Sequence, residues 1–304
     1  MSSGFEVIAP GIQATIQDLG RIGLAKIGVS SSGALDEHAF HHANRLLGNE
    51  YGTNMLEIVL GGTKLKAIGK TTFILTGAKV NASINNKSIK IWKTYEIDDG
   101  DIINLGFAIS GVRVYLAVKG GFDIPSEYGS CSVSVREKLG GLPLHAKQFL
   151  PYVSKALKGS RSLQSKYQPN YDKVLTLRVV SGYQWSMFEQ KQKQKLFNSI
   201  YTVTGQNDRM GYRLSGEKIV SKLQDIVSEP IAFGSIQIPA HGEPIVLLKE
   251  RQTIGGYPKV GAVIPVDCFK LSQAKQDSQI KFELIGLDEA VVINREFYKI
   301  FKEF

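Results

Sequence analysis

Short runs in which apolar residues alternate with polar ones, or stand together uninterrupted, recur along most of the chain. They are "FEVIA", "MLEIVL", "TTFILTG", "VNASIN", "DIINLG" and "VRVYLAV", then "TLRVVSG", "SIQIP", "PIVLL", "GAVIPV" and "QIKFELI". They are rich in Val and Ile and bounded by Gly, Asn and Asp, residues that favour turns, so the pattern predicts many short strands in sandwiches or barrels. Helical spacing is confined to two stretches. In "EHAFHHANRLL" the residues Ala39, Ala43, Leu46 and Leu47 share a face, Asp36 stands in the N-cap position and Gly48 closes the turn. "YQWSMFEQKQKQKLF", from Tyr183 to Phe197, is the second predicted helix.

Periodicity is lost between Leu142 and Lys173, where the chain turns basic and polar. This predicts an N-terminal β-barrel domain over 1–141, a basic linker over 142–173 and a C-terminal β-barrel domain over 174–304. The two halves share a register. Val7 and Val179, Asp36 and Asp208, Glu57 and Glu229, and Phe73 and Ile245 are each 172 positions apart, which suggests duplication.

With 304 residues, 43% of them apolar, the chain can bury a substantial core. No apolar run approaches the roughly 20 residues that span a bilayer. "MSSGFEVIAPG" lacks the basic start and apolar centre of a signal peptide, so a soluble cytoplasmic protein without a membrane partner is expected. Cys131 and Cys268 have no C-x-x-C spacing and are expected as free thiols. A net charge of +9 would suit nucleic acid, but the lysines are scattered or gathered in "KQKQK" and "SKALKGSRSLQSK" without interleaved aromatics. These read as a solvated helix face and a linker, and no nucleic-acid partner is predicted.

Several chemical motifs fail on inspection. "GGTKLKAIGKT" has six residues between Gly62 and Gly69 where a nucleotide-binding P-loop has four, and a strand follows. His38 and His42 lie four apart on one helix face, but a third ligand and the glutamate of a zinc-protease motif are missing, so solvated histidines and no metal site are expected. "SSSG" is not a nucleophile elbow. Two stretches carry more. "KERQTIGGYPKVGAVIP" follows the apolar run "PIVLL" with a carboxylate, cations, an amide, paired glycines and a phenol, and "GQNDRMGYRLSG" mixes carboxylate with guanidinium. Together they suit a substrate clamp. A glycine-bulged hairpin with surface charges, or a structural ion pair, fits the same residues.

"TIQDLGRIGLAKIGVSSSGALDEHAFHHANRLLGN", "LEIVLGG", "YLAVKGGFDIP", "NDRMGYRLSG" and "SEPIAFGSIQIPAHGEPIVLLKERQTIGGYPKVGAVI" together resemble the biotin-dependent carboxyltransferase-like family, also called allophanate hydrolase subunit 2, from about Phe5 to Phe282. The resemblance implies a mainly β fold of two cyclophilin-like β-barrel domains with a few short helices. For stand-alone members it implies a part in an ATP-dependent 5-oxoprolinase, in which the enzyme's B subunit is the direct partner and its A subunit completes ring opening to glutamate. In fused relatives the fold is the carboxyltransferase of urea carboxylase, receiving carboxylated biotin; this chain has no biotinyl "MKM" site. A non-catalytic regulator bound to a partner is the third reading. Two departures stand out: Glu250 and Ile254 interrupt the common "DRQTTGGYP", and Cys131 replaces a frequent arginine.

A lactam is a poor electrophile, and phosphoryl transfer from ATP turns its carbonyl oxygen into a leaving group, so the protein's task is positioning and charge neutralisation. ATP with Mg is expected at the complex rather than on this chain alone. Asp208 and Glu250 are candidate bases or partners of metal-bound water, with Lys259 as a catalytic cation. Arg209, Arg213, Gln252 and Tyr257 are candidate substrate ligands, joined by Asp36, the first half's counterpart of Asp208. Arg251, Gly255 and Gly256 are candidates for holding an anion, the glycines by allowing positive φ and close backbone approach.

Overall fold

The computed structural model describes residues 3–171, 174–222 and 226–302. They form two compact units: described residues up to 21 with 32–171, and 22–31 with those from 174 onward.

The first unit is built on a nine-stranded antiparallel sheet. Its main path runs Gln13–Gln17, Met55–Val59, Ile102–Val118, Thr63–Ile68, Gly4–Pro10 and Phe149–Pro151. Thr71–Ile84 pairs with Ile102–Val118, and with Lys87–Ile89 and Thr94–Ile97. The two long strands curl because their register shifts between Gly77 and Ala82, where bulges bend the ladder. Gly77, at φ 85°, is required there: a Cβ would sit 2.3 Å from the Arg113 carbonyl oxygen.

The run "VRVYLAV" belongs to a strand buried on both faces. Val114, Leu116 and Val118 join Phe5, Leu56, Leu65 and Phe73 in one core, while Tyr115 and Ala117 meet helix α1 (Glu37–Leu47) through Phe40, Ala43 and Leu47 on the other. Helix α1 starts where the sequence places it, with the Ala39 N–H donating to Asp36 Oδ1 at 3.1 Å. Its histidines depart from expectation. His41 is buried and stacks on Tyr51 at 4.8 Å, and half-buried His38 and His42 pack edge-on to Trp92. Burial, with His38 alongside, pushes His42 down to about 3. The stretch expected as a linker lies in the first unit, where Phe149–Pro151 pairs with Gly4–Pro10.

In the second unit seven strands close a barrel: Leu175–Ser181, Lys259–Val263, Ser235–Gln237, Ile245–Leu247, Gly211–Ser215, Tyr201–Asn207 and Gln279–Leu284. Closure runs through the parallel pair of 279–284 with 175–181. Leu177, Val203, Tyr212, Leu214, Ile236, Val246 and Ile280 are buried within the unit. A two-stranded ribbon, Glu229–Pro230 with Ile254–Gly255, lies outside the barrel ladders. The predicted helix over 183–197 is divided: a 3-10 turn at Trp185–Met187 precedes helix α2 (Gln190–Asn198), because Glu189 is extended at ψ 152°. Helices α3 (Pro265–Leu271) and α4 (Leu287–Lys302) complete the unit. The architecture is mainly β with four α-helices among the described residues, a closed barrel in the second unit and a curled open sheet in the first. Both cysteines are free thiols.

Candidate active site

The turn between Tyr201–Asn207 and Gly211–Ser215 is closed by Asp208, whose Oδ1 accepts the N–H groups of Met210 at 2.7 Å and Gly211 at 3.2 Å. That turn is tied to the end of Ile245–Leu247, where the Leu248 N–H donates to Met210 O at 2.7 Å and the Glu250 N–H to Arg209 O at 2.9 Å. The two charged sequence motifs are therefore neighbours. Between them Arg209 Nε donates to Glu250 Oε1 at 2.5 Å, with Arg209 9% and Glu250 7% exposed. Glu250, expected as a base, is one half of a buried ion pair, and Arg209, expected on the substrate, is the other half.

Other predicted residues also hold the wall in place. The Arg251 guanidinium donates to the carbonyls of Ile231 at 3.0 Å and Leu248 at 3.3 Å, and burial lowers its pKa. Lys259 Nζ pairs with the Glu229 carboxylate. Gln184 ties that pair to the backbone, accepting from the Lys259 N–H at 2.6 Å and donating to Glu229 Oε1 at 2.7 Å. Burial alone would raise the Glu229 pKa, but hydrogen bonds from Lys259, Tyr183 and Gln184 outweigh it and hold the carboxyl below its usual value. Gly255 and Gly256 do not have positive φ. They serve close approach: a Cβ on Gly255 would lie 2.7 Å from Ile231 Cδ1, and one on Gly256 would lie 2.9 Å from the Ile226 carbonyl oxygen.

What remains available lines a cleft of about 420 Å³, a size typical of small-molecule sites: Asp208, Arg213, Gln237, Gln252 and Tyr257, with Leu247 and Ile245 as apolar floor. Arg213 is exposed, and it makes no ion pair or side-chain hydrogen bond among the described residues. Gln237 is 5% exposed, yet neither its amide nor that of Gln252 is hydrogen-bonded to a described residue. Gly255 lets the two amides converge, since a Cβ there would be 3.2 Å from Gln237 Nε2 and 3.8 Å from Gln252 Oε1. Sequence reasoning missed Gln237; the amide inside the otherwise apolar strand "SIQIP" was its signal. Arg213 also borders a second hollow of about 440 Å³, with Thr204, Ser215, His241 and Glu243.

Asp36 belongs to the first unit, whereas the cleft is lined by residues of the second. Besides capping α1 it accepts from the Tyr171 hydroxyl at 2.7 Å, a structural arrangement. Beside it Glu57 accepts from the Leu35 N–H at 2.9 Å and the Tyr115 hydroxyl at 2.7 Å. At Cys131, the residue in place of an arginine, the backbone N–H donates to Asp18 Oδ2 at 2.7 Å. Buried Arg21 still supplies a cation to that loop, donating to Ser132 O at 2.7 Å. Among the described residues no group of three or more His, Cys, Asp or Glu is placed to hold a metal ion. Among the described residues no helix is long and apolar enough to cross a membrane.

Known proteins share this sequence and fold. A family model described as carboxyltransferase domain, subdomain A and B, matches residues 27–284. The chain is 34% identical over 289 residues to the C subunit of 5-oxoprolinase from Haemophilus influenzae, covering 93% of this chain and 92% of that protein. It is 32% identical to the C subunit of 5-oxoprolinase from Escherichia coli, covering 98% and 96% respectively. Urea amidolyase of Lachancea kluyveri is 30% identical across 94% of this chain, which spans only 17% of that protein. The crystal structure of K. lactis urea amidolyase superposes with a TM-score of 0.93 at 26% identity, over 99% of this chain and 20% of that one.

Proposed function

The chain belongs to the carboxyltransferase domain family, subdomain A and B, and on that footing we propose that it is the C subunit of an ATP-dependent 5-oxoprolinase. In this reading it acts in the cytoplasm with the B and A subunits of that enzyme to convert 5-oxo-L-proline to L-glutamate. The observation that carries it is the end-to-end match, in both directions, to two proteins of that name. The chemistry of the cleft supports it. A lactam with a carboxylate presents one anion, one N–H and one carbonyl. The cleft offers one guanidinium without an ion pair among the described residues, Arg213, two amides able to donate and accept, Gln237 and Gln252, and the Tyr257 phenol.

ATP supplies the phosphoryl group that activates the lactam oxygen when it is bound in the complex. Among the described residues the cleft lining has one carboxylate, Asp208, a donor set that does not fit Mg with a triphosphate, and this chain's part in the reading is with the lactam. Arg213 holds the carboxylate. The paired amides fix the ring so that its carbonyl stays in one orientation, and the apolar floor of Ile245 and Leu247 limits water around it. Asp208 is held by its own turn and accepts the ring N–H.

A carboxyltransferase acting on carboxylated biotin is the second reading, favoured by the likeness to urea amidolyase. A ureido ring presents the same amide edges to Gln237 and Gln252. Mixing the chain with the B and A subunits and following ADP release driven by 5-oxoproline separates the two. Activity that needs all three proteins is expected; full activity without this chain would reject the assignment. Carboxyl transfer from carboxybiotin with no 5-oxoproline turnover would select the second reading.

A further inference from the structure

The basic stretch Ser154–Lys166 plays no part in the cleft, and its place in the fold gives it one of its own. It packs within the first unit, where its backbone is fixed by three threonines. The Lys155 carbonyl accepts the Thr72 N–H at 3.1 Å and the Thr71 hydroxyl at 3.2 Å. The Arg161 carbonyl accepts the Thr94 N–H at 2.9 Å, and the Arg161 N–H donates to Thr94 Oγ1 at 2.8 Å. Lys119, from the end of the long strand Ile102–Val118, is held by its own N–H to Thr72 O at 2.8 Å. Three cationic residues thus start from backbone that cannot drift.

Arg161 and Lys119 meet at the C-terminal end of α1, and Lys155 lies beside Gly120, whose N–H donates to Asn49 Oδ1 at 2.8 Å just past that helix. A Cβ on Gly48 would lie 3.3 Å from a guanidinium nitrogen of Arg161 and 3.7 Å from Lys119 Nζ, and one on Gly120 would lie 3.2 Å from Lys155 Nζ. Two glycines therefore leave open the space these cations occupy. None of the three makes an ion pair with a carboxylate among the described residues. Capping of α1 explains part of the cluster: Lys119 Nζ donates to Gly48 O at 2.6 Å and Arg161 to Leu46 O at 3.4 Å, favourable at a helix C-terminus. It does not explain Lys155, whose ammonium lies beside Gly120, within electrostatic reach of Lys119, and donates to no described carbonyl. Crowded like charges without a counter-ion repel, and burial with Arg161 and Lys155 alongside lowers the Lys119 pKa.

We propose that Lys119, Lys155 and Arg161 form an oxyanion site that takes a phosphate group, free or carried by a nucleotide. A compact tripod of cations on fixed backbone suits a small, multiply charged tetrahedral anion, because each N–H can meet a different oxygen without reordering the chain. An acidic peptide would call for a longer basic stripe.

The test is isothermal titration of the full chain with inorganic pyrophosphate, with chloride adjusted to hold ionic strength constant. Saturable binding is expected, weakened about ten-fold or more in Lys155→Gln, as for loss of one charge-assisted hydrogen bond. It should be retained in Lys155→Arg and unchanged in Lys191→Gln, an exposed lysine of the second unit. Lys155→Gln should keep the parent's melting temperature, since its ammonium caps nothing. Equal displacement by ADP and phosphate would identify a free phosphate site, tighter ADP a nucleotide site, and adenosine should not compete. Absence of saturable binding, an equal loss in Lys191→Gln, or tighter binding of a glutamate-rich peptide than of pyrophosphate would overturn the assignment.

Discussion

Replacing Arg209 by alanine should unfold the second unit more easily rather than merely slow a reaction. By residue type, Arg209 resembles a substrate ligand, whose loss would lower turnover and leave stability untouched. In the fold its Nε lies 2.5 Å from Glu250 Oε1, at 9% and 7% exposure respectively. Truncation leaves the Glu250 carboxylate in a site from which water is largely excluded, and breaking a buried pair from one side costs about 3–5 kcal/mol. The residual exposure of both groups lets some water reach the carboxylate, which puts the expected loss near the lower end, about 3 kcal/mol. For a unit of this size that corresponds to a fall in melting temperature of roughly 10 °C. Urea and thermal unfolding followed by circular dichroism would read it, with an unchanged denaturant slope showing that the unfolded state is the same. Arg209→Met combined with Glu250→Leu should recover most of the loss, because the stranded charge is gone. A single variant with the parent's urea midpoint, or a double variant whose loss equals the sum of the singles, would show that the pair does not hold this turn.

Arg213→Ala should show the converse behaviour: turnover of the assembled complex falls about ten-fold to a thousand-fold, while stability stays within about 0.5 kcal/mol; a normal rate would remove Arg213 from the substrate. Gly255→Ala should raise KM for the lactam more than it lowers kcat, since its Cβ would come 3.2 Å from Gln237 Nε2 and push that amide out of register; steady-state kinetics reads the split. Glu229 has a folded pKa held below the unfolded value of about 4.3, so it contributes stability present above that pH and lost as pH falls through the folded pKa. Lys259→Met removes the partner that depresses it, and urea midpoints from about pH 6 to about pH 3 should then fall less steeply on the acid side than in the parent. Asp267 follows the same sign: burial would raise its pKa, but the two-point pairing with Arg178 at 2.7 and 2.8 Å lowers it, and Asp267→Asn should destabilise the contact of α3 with Leu175–Ser181, measurable as a lower melting temperature.

The elements legible in the sequence are those whose cause is local. Helix α1 is bounded by Asp36 and Gly48, and both cap it in the fold. The strands follow from alternation, and "GGTKLKAIGKT" yields the strand Thr63–Ile68 instead of a phosphate loop. Where two local rules compete, the reading fails. "GAVIPV" looks like one strand, but the strand stops at Val263 and Pro265 opens α3, because a proline lacks the N–H that the first helical turn leaves unused. Helix α4 carries Ala290, Ile293, Phe297 and Phe301 at helical spacing, a periodicity that an account built from strands passes over. The pairing that closes the barrel, 175–181 with 279–284, joins distant segments and has no local signature.

The candidate site follows the same division. Charged motifs located the wall, because polar residues placed directly after a buried strand need a reason to be there. Which of those charges face a substrate depends on partners far along the chain: Arg209 and Glu250 are 41 positions apart, Lys259 and Glu229 are 30. A guanidinium or ammonium already neutralised in a buried pair can reach a ligand only by leaving its partner bare, at a cost of several kcal/mol that a small anion does not return. The groups able to act are therefore those the fold leaves over. In the cleft, on the proposed reading, these are Arg213, the amides of Gln237 and Gln252, the Tyr257 phenol and the Asp208 carboxylate. Near the end of α1 the surplus is Lys155, whose ammonium lies beside Gly120 and pairs with no carboxylate among the described residues.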